Sequence, residues 1–383
     1  MGLFLTIYCI IILATGAYAF LTSILNIAYF RKMGKVKEDD CCNENPLVSI
    51  IIPARNEEEN LPRLLSSLIK QTYKNIEILV INDQSSDGTE EVIEKYEKLD
   101  SRVHGYKTEP GLVISKHGKM NALLQLIPYA KGEFLLATDA DTQHATTALS
   151  VTVKMMQKHN LDIMSGFPTQ LCSSYMASVI VSAMMFANTM VPHFFFYRFQ
   201  FPQTAFAIGQ FILMRRDAYY EVGGYGCIEN AVVDDMGLVK LFVKKKKKYA
   251  FVNISEEVAC YMYKKGAEAF HGIERSIVGV FPAKLYIIPP LILLVCALML
   301  IAWAPLILLA AVILGYYNPS TLTILIGWLL FCTAWFIGCR NINFRKLVSI
   351  SCPLSITMIC AMYVHGIYRR LSGKNFIWKG RTI

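Results

Sequence analysis

Charge is scarce in this 383-residue chain, and what there is lies unevenly. Asp, Glu, Lys and Arg supply 17% of the residues, against roughly 25% in soluble domains. The first 30 residues and residues 285–338 are nearly free of charge, while 31–110 is dense in it. A chain that is soluble throughout is therefore excluded. No CxxC pairing or disulfide framework is present. The eleven cysteines are odd in number and scattered, several inside apolar runs, which suits a reducing compartment. No basic stripe is interleaved with aromatics, so the net charge of +9 does not indicate nucleic-acid binding. The apolar runs also lack the buried charge that marks ion pathways, which excludes a transporter.

Apolar residues are abundant, at 54% with a mean hydropathy of +0.39. Residues 4–30 carry no charge and exceed the ~20 residues that a span requires. They lack the basic leader and cleavage site of a signal peptide. Arg31, Lys32, Lys35 and Lys37 follow at once, so the positive-inside rule places the next domain in the cytosol. The expected organisation is a transmembrane helix at 1–30, a linker at 31–46, a cytosolic domain at 47–283, three or four membrane segments within 284–367, and a basic cytosolic tail at 368–383. Cys41 and Cys42 in the linker are either acylation sites or inert thiols.

The middle of the chain alternates apolar runs with helix-period stretches. LVSIIIP (47–53), IEILVIND (76–83) and GEFLLATDAD (132–141) read as buried strands. LPRLLSSLIKQ, residues 87–98 and GKMNALLQLIPYA read as helices. The pattern predicts an α/β domain with a mostly parallel sheet flanked by helices, and ligands in such sheets bind at the carboxyl ends of the strands. Residues 175–197 also lack charge and would pass as a span. Crossing there would put Asp139 and Asp235 on opposite sides of the membrane, so interfacial helices near 171–200 are expected instead.

Four polar clusters follow apolar runs: Pro53–Asn60, Asn82–Thr89, Thr138–Asp141 and Val233–Leu238. Asp83–Gly88 also reads as a turn that caps a helix, and Glu57–Glu59 as a solvated first helical turn. Asp139 and Asp141 resist such a local reading best. Two residues apart on an extended segment, they face the same way, and paired carboxylates at a strand end repel unless a cation lies close. Mg²⁺ takes carboxylate and phosphate oxygens together, and would stabilise charge on a departing diphosphate. Lys244–Lys248 reads equally as a contact for anionic headgroups or as a solvated helix end and turn.

Taken together, residues 47–89, Lys119–Leu123, Asp139-Ala140-Asp141, Gly209-Gln210-Phe211 through Gly223-Gly224-Tyr225, and Asp234-Asp235 resemble the family 2 glycosyltransferases of the GT-A fold, in the family's order from about 47 to 283. The flanking spans and Trp378-Lys379-Gly380-Arg381 resemble the branch with hopanoid and carotenoid-type lipid glycosyltransferases and ceramide glucosyltransferase. The resemblance implies that Pro53 and Glu57 line the nucleotide pocket and that Asp83 reads the uracil edge. It puts Lys119 against the diphosphate or sugar, Asp139 toward the ribose and diphosphate, and Mg²⁺ or Mn²⁺ on Asp141. Asp235, with Asp234 beside it, is the implied base that deprotonates the acceptor, with Gln210 near that acceptor.

Two departures stand out. The acidic pair is Asp234-Asp235 where the family has Glu-Asp. Segment 270–281 (FHGIERSIVGVF) has Ile273 near the family's Trp, so Arg275 is the expected support for the leaving group and His271 reads equally as a surface residue. The implied reaction is inverting transfer of a hexose, from UDP-glucose or UDP-GlcNAc, to a lipid or lipid-like acceptor at the cytosolic face of the cell (plasma) membrane. A processive polysaccharide synthase, or a silent nucleotide-sugar-binding membrane protein, are the alternatives.

Overall fold

The computed structural model describes residues 2–36, 45–115, 118–184, 189–228, 234–279, 288–316, 321–372, 377–378 and 381–382. The chain forms two compact units. One takes in Phe30–Thr169, Phe195–Tyr261 and Ile377–Ile383, the other Met1–Tyr29, Gln170–Phe194 and Met262–Phe376.

The first unit is built on the predicted alternation. Strands β1 (Val48–Ala54), β2 (Ile76–Asn82) and β4 (Phe134–Thr138) come from the three apolar runs, with β3 at Val103–Lys107. Every residue of β2 and β4 is buried, as expected for strands covered on both faces. Helices α2 (Leu61–Ile69), α3 (Thr89–Leu99), α4 (Gly118–Leu126) and α5 (Ala148–Lys158) connect them. After β5 (Thr142–His144), the strands β6 (Ile163–Phe167), β7 (Thr169–Leu171), β8 (Phe211–Arg215), β9 (Tyr249–Asn253) and β10 (Val258–Tyr261) follow. The main sheet runs β3-β2-β1-β4-β8-β6-β9. Its neighbours are parallel except β8, which is antiparallel to both β4 and β6.

Register decides what meets at the sheet's edge. Ala54 is level with Asn82, and Val48–Ile51 of β1 with Phe134–Ala137 of β4, so three of the polar clusters leave the sheet side by side. β8 enters there from the opposite direction, with Phe211 opposite Thr138. Gly209 and Gln210 therefore arrive where Asp139 departs. The loops after β1 and β2 are fastened together: the Asn56 N–H donates to Ser85 Oγ at 3.0 Å, Glu57 N–H to Thr89 Oγ1 at 2.8 Å, and Gly88 N–H to Glu58 Oε2 at 2.7 Å. Asn56 and Gln84 take positive φ of 52° and 54°, a conformation uncommon outside glycine.

Two of the five lysines of the run are tied to this unit, while Lys244, Lys245 and Lys246 are exposed. Lys247 pairs with Glu221, and Lys248 donates to the His159 carbonyl at 2.7 Å. The run does begin at the end of a helix, with Lys244 its last residue.

In the other unit the apolar residues form long helices. Helix α1 (Gly2–Gly34) has 33 residues, about 50 Å at 1.5 Å per residue, and continues past Tyr29 into the first unit. After α6 (Tyr175–Val181) and α7 (His193–Phe199) come α8 (Arg216–Val222) and α9 (Asp234–Lys244) of the first unit, then α10 (Gly266–Gly279), α11 (Ile288–Ala302), α12 (Ala304–Ile313), α13 (Leu322–Asn341), α14 (Lys346–Ser349) and α15 (Cys352–Leu371). Among the described residues, α1 and α13 are long and apolar enough to cross a membrane. The α11–α12 pair, bent by 69°, adds a third if it is one span. Its break falls at Trp303, before an Ala-Pro that starts α12. Gly16 of α1 and Gly327 of α13 let two backbones touch, since a Cβ at Gly16 would lie 2.0 Å from the Gly327 carbonyl oxygen.

Segment 175–197 holds no helix of spanning length among its described residues. Helix α6 stops after seven residues, a 3₁₀ turn follows at Ser182–Met184, and α7 is again seven residues long. Ser182 and Tyr175 bond side chain to side chain with Ser355 at 2.8 Å and Ser351 at 2.6 Å. Every described cysteine is a free thiol; Cys41 and Cys42 lie outside the described residues. Trp378 pairs with Arg381 in a short antiparallel ladder, and Lys379 and Gly380 lie outside as well.

Candidate active site

A pocket opens at the carboxyl edge of the main sheet. Pro53 from β1, Thr138 and Asp139 at the end of β4, Lys119 of α4, Gly209 before β8, Tyr225, and Asp234 and Asp235 of α9 line it. Lys119 Nζ lies 2.6 Å from Asp139 Oδ1. Asp234 adds to Asp139 in holding the Lys119 ammonium well above the usual lysine range, against the opposing effect of burial. The lysine is therefore charged at any working pH.

Asp234 and Asp235 form the first turn of α9, where free N–H groups favour carboxylates. Asp235 Oδ1 accepts from the Met236 N–H at 2.7 Å, and the Gly209 N–H also donates to this carboxylate. Burial first, then the charge of Asp234, pushes Asp235 up to about 7, with Lys119 and these N–H donors opposing. Gly209 is the hinge of the arrangement. A Cβ there would lie 3.2 Å from Asp235 Oδ2 and 3.3 Å from Lys119 Nζ, so only the bare backbone leaves both groups their present positions.

Asp139 and Asp141 are not two positions of one extended strand. β4 ends at Thr138, and the chain turns: the Thr142 N–H and hydroxyl both donate to the Asp139 carbonyl, at 3.2 and 2.7 Å. The two carboxylates are consequently used differently. Asp139 faces Lys119, whereas Asp141 accepts from the Cys260 thiol and keeps Oδ1 buried without a hydrogen-bond partner. Burial, then Asp139, then Glu57 push Asp141 up to about 7. A buried, unpartnered carboxylate oxygen that feels the charges of Asp139 and Glu57 is chemistry that suits a hard divalent cation.

The remaining expected residues occupy the surrounding loops. Glu57 Oε2 accepts from Asn60 Nδ2 at 2.9 Å. Asp83 is buried, its N–H donating to the Ala54 carbonyl at 2.7 Å and its carbonyl accepting from Arg55 Nη1 at 2.7 Å. Gln210 is buried, and its carbonyl accepts from Thr138 Oγ1 at 2.8 Å. Arg275 is half-buried on α10 and belongs to the other unit.

Two contributors carried no assigned role in the sequence reading. Tyr225 is fully buried between the charges of Asp234 and Lys119; its Gly-Gly-Tyr setting was a usable signal. Cys260 lies 119 positions beyond Asp141, and no local pattern ties the two.

Comparison with known proteins places these observations. Residues 49–223 match the family model "Glycosyl transferase family 2"; the match ends before Asp234 and Asp235. Over 120 residues the chain is 36% identical to the UDP-Glc:alpha-D-GlcNAc-diphosphoundecaprenol beta-1,3-glucosyltransferase WfgD of Escherichia coli, covering 31% of this chain and 45% of that one. It is 26% identical over 118 residues to the putative teichuronic acid biosynthesis glycosyltransferase TuaG of Bacillus subtilis, with 31% and 45% covered. The chain thus spans less than half the length of these curated relatives. Among solved structures, the mannosyltransferase PcManGT of Pyrobaculum calidifontis, in complex with GDP-Man and Mn²⁺, superposes with a TM-score of 0.52 at 16% identity, over 97% of this chain and 99% of that one. Residues 49–223 are thus similar to glycosyltransferase family 2, and the fold is GT-A.

Proposed function

We propose that the protein transfers a hexose from a nucleoside diphosphate sugar, with UDP-glucose or UDP-GlcNAc as the expected donor, to a hydroxyl of a lipid or lipid-linked acceptor, inverting the anomeric centre. The observation that carries this reading is the convergence of Lys119, Asp139 and Asp235 on one pocket, with Gly209 against both Lys119 and Asp235. One cation and a raised carboxylate face one pocket, which is what glycosyl transfer to a hydroxyl asks for.

Asp235 takes the acceptor proton. A carboxylate held near 7 accepts a proton far more readily than an ordinary aspartate. The acceptor oxygen forms its bond to the anomeric carbon from the side opposite the diphosphate. The bond to the diphosphate breaks as the electron pair leaves on its oxygen, beside the Lys119 ammonium. Pro53, Glu57 and Asp83 shape the nucleotide end, and Gln210 the acceptor end. Asp141, with Asp139 beside it, would hold Mg²⁺ or Mn²⁺, which supplies positive charge for the departing diphosphate.

The membrane reading rests on the apolar helices. Helix α1 ends in Arg31 and Lys32, which favours the catalytic unit on the cytosolic side of the cell membrane. A lipid-linked acceptor is supported by the diphosphoundecaprenol substrate in the name of WfgD, and the finer likeness to hopanoid, carotenoid and ceramide glycosyltransferases belongs to the same proposal.

The test is release of free nucleotide from a panel of sugar nucleotides by the full chain in lipid, with Mn²⁺, with chelator, and as Asp235→Asn. Metal-dependent release from one donor, lost with chelator and in the variant, is expected. Donor binding without turnover, even with membrane lipid extract added, would overturn the transferase reading.

A further inference from the structure

A second cluster of ligating side chains lies outside the pocket, within the unit of apolar helices. His271 and Glu274 stand one helical turn apart on α10, and His365 comes from α15. Glu274 is wholly buried, yet both its carboxylate oxygens are engaged by imidazoles: Oε1 lies 2.6 Å from His365 Nδ1, and Oε2 lies 3.3 Å from His271 Nδ1. The three ligand atoms all fall within 4.8 Å of one another. The His271 side chain is 58% exposed and that of His365 39%, so the cluster is open on one side.

We propose that His271, Glu274 and His365 form a binding site for a divalent transition-metal ion of the Zn²⁺ class, pinning α10 to α15. Two imidazoles and one carboxylate, with one position left for water, is a recurrent donor set for zinc. Ligand atoms about 2.0–2.1 Å from a tetrahedral ion stand roughly 3.3 Å apart. The His271 Nδ1–Glu274 Oε2 separation already has that value and is long for a hydrogen bond, and with His365 on the other oxygen of the same carboxylate the three ligand atoms need close by little from their 4.8 Å limit. The buried Glu274 charge also needs a counter-charge, which an ion held by all three residues provides. Hard-ion chemistry at Asp141 and borderline-ion chemistry here are separable by ligand type.

The test uses the full chain in detergent in an Asp141→Asn background, stripped with chelator, dialysed against Zn²⁺ and assayed for bound metal. Close to one Zn²⁺ per chain is expected, with affinity falling at least ~10-fold on adding His271→Ala or His365→Ala, as for other losses around a metal site. Because His271 is exposed, its removal should leave folding intact, which size-exclusion chromatography checks. Co²⁺ in the otherwise unsubstituted chain provides a second readout, a visible ligand-field band without thiolate charge transfer. Zinc retention unchanged by the two histidine substitutions, no retention at all, or a thiolate-type Co²⁺ spectrum would overturn the proposal.

Discussion

Lys119 Nζ and Asp139 Oδ1 are 2.6 Å apart at the mouth of a pocket that also contains Asp234 and Asp235. One ammonium thus serves several carboxylates, and its loss unbalances the whole site. Lys119→Ala should lower kcat/KM for the sugar nucleotide by roughly 10²–10³, the range for removal of a preorganised electrostatic group. Lys119→Arg should recover part of that loss. Steady-state nucleotide release measures both, and unchanged kcat/KM in Lys119→Ala would remove the residue from the diphosphate.

The proton acceptor makes a pH prediction. Asp235 must be ionised to act, and burial and Asp234 hold it up to about 7. The kcat/KM should fall about tenfold per pH unit below that point and level off above it. Asp235→Asn should abolish this limb along with most of the activity. A flat wild-type profile between pH 5 and 8, at about constant donor saturation, would point to another base.

Asp141 joins function to stability. Its folded value, up to about 7, stands above the ~3.9 of an unfolded aspartate. Between these values the folded state binds more protons than the unfolded one, so stability falls as pH rises through the interval. In chelator, Asp141→Asn should therefore raise Tm at pH 8, and the gain should vanish near pH 4. The same variant should need at least ~10-fold more Mn²⁺ for activity. Thermal unfolding at the two pH values tests the first part, and metal titration of nucleotide release the second.

The helix contact makes a prediction away from chemistry. A side chain on Gly16 meets the Gly327 backbone at 2.0 Å, so Gly16→Leu must separate α1 from α13. A loss of about 1–3 kcal/mol is expected, as for overpacking in general, with the kcat of the protein that remains folded unaltered. Unfolding in detergent, followed by tryptophan fluorescence, would show it. Tm equal to wild type would mean that the two helices do not rely on this approach.

The sheet and the polar clusters were legible in the chain because buried strands leave uninterrupted apolar runs. Ile76–Asn82 and Phe134–Thr138 are such runs, and each ends where a polar cluster begins. The direction of β8 was not legible, since Phe211–Arg215 reads alike either way; it is the pairing of Phe211 with Thr138 that sets it. The distinct uses of Asp139 and Asp141 were hidden for a similar reason. Alternation assumes an extended backbone, and here the Thr142 hydroxyl and N–H hold a turn. What separates the two carboxylates are partners far along the chain, Lys119 for one and Cys260 for the other. The reading of 175–197 as interfacial rests on chemistry, the need to keep Asp139 and Asp235 on one side; its described helices are Tyr175–Val181 and His193–Phe199.

The path of the chain between its two units has a practical consequence. It passes from one to the other after Tyr29, Thr169, Phe194, Tyr261 and Phe376. No single cut, by protease or by truncation, can release the sheet with its carboxylates as a free water-soluble piece. Trimming at residue 45 and at residue 262 would still leave Gln170–Phe194, a segment of the other unit, in the excised fragment. A soluble form for crystallisation or screening must replace that internal loop as well as both ends.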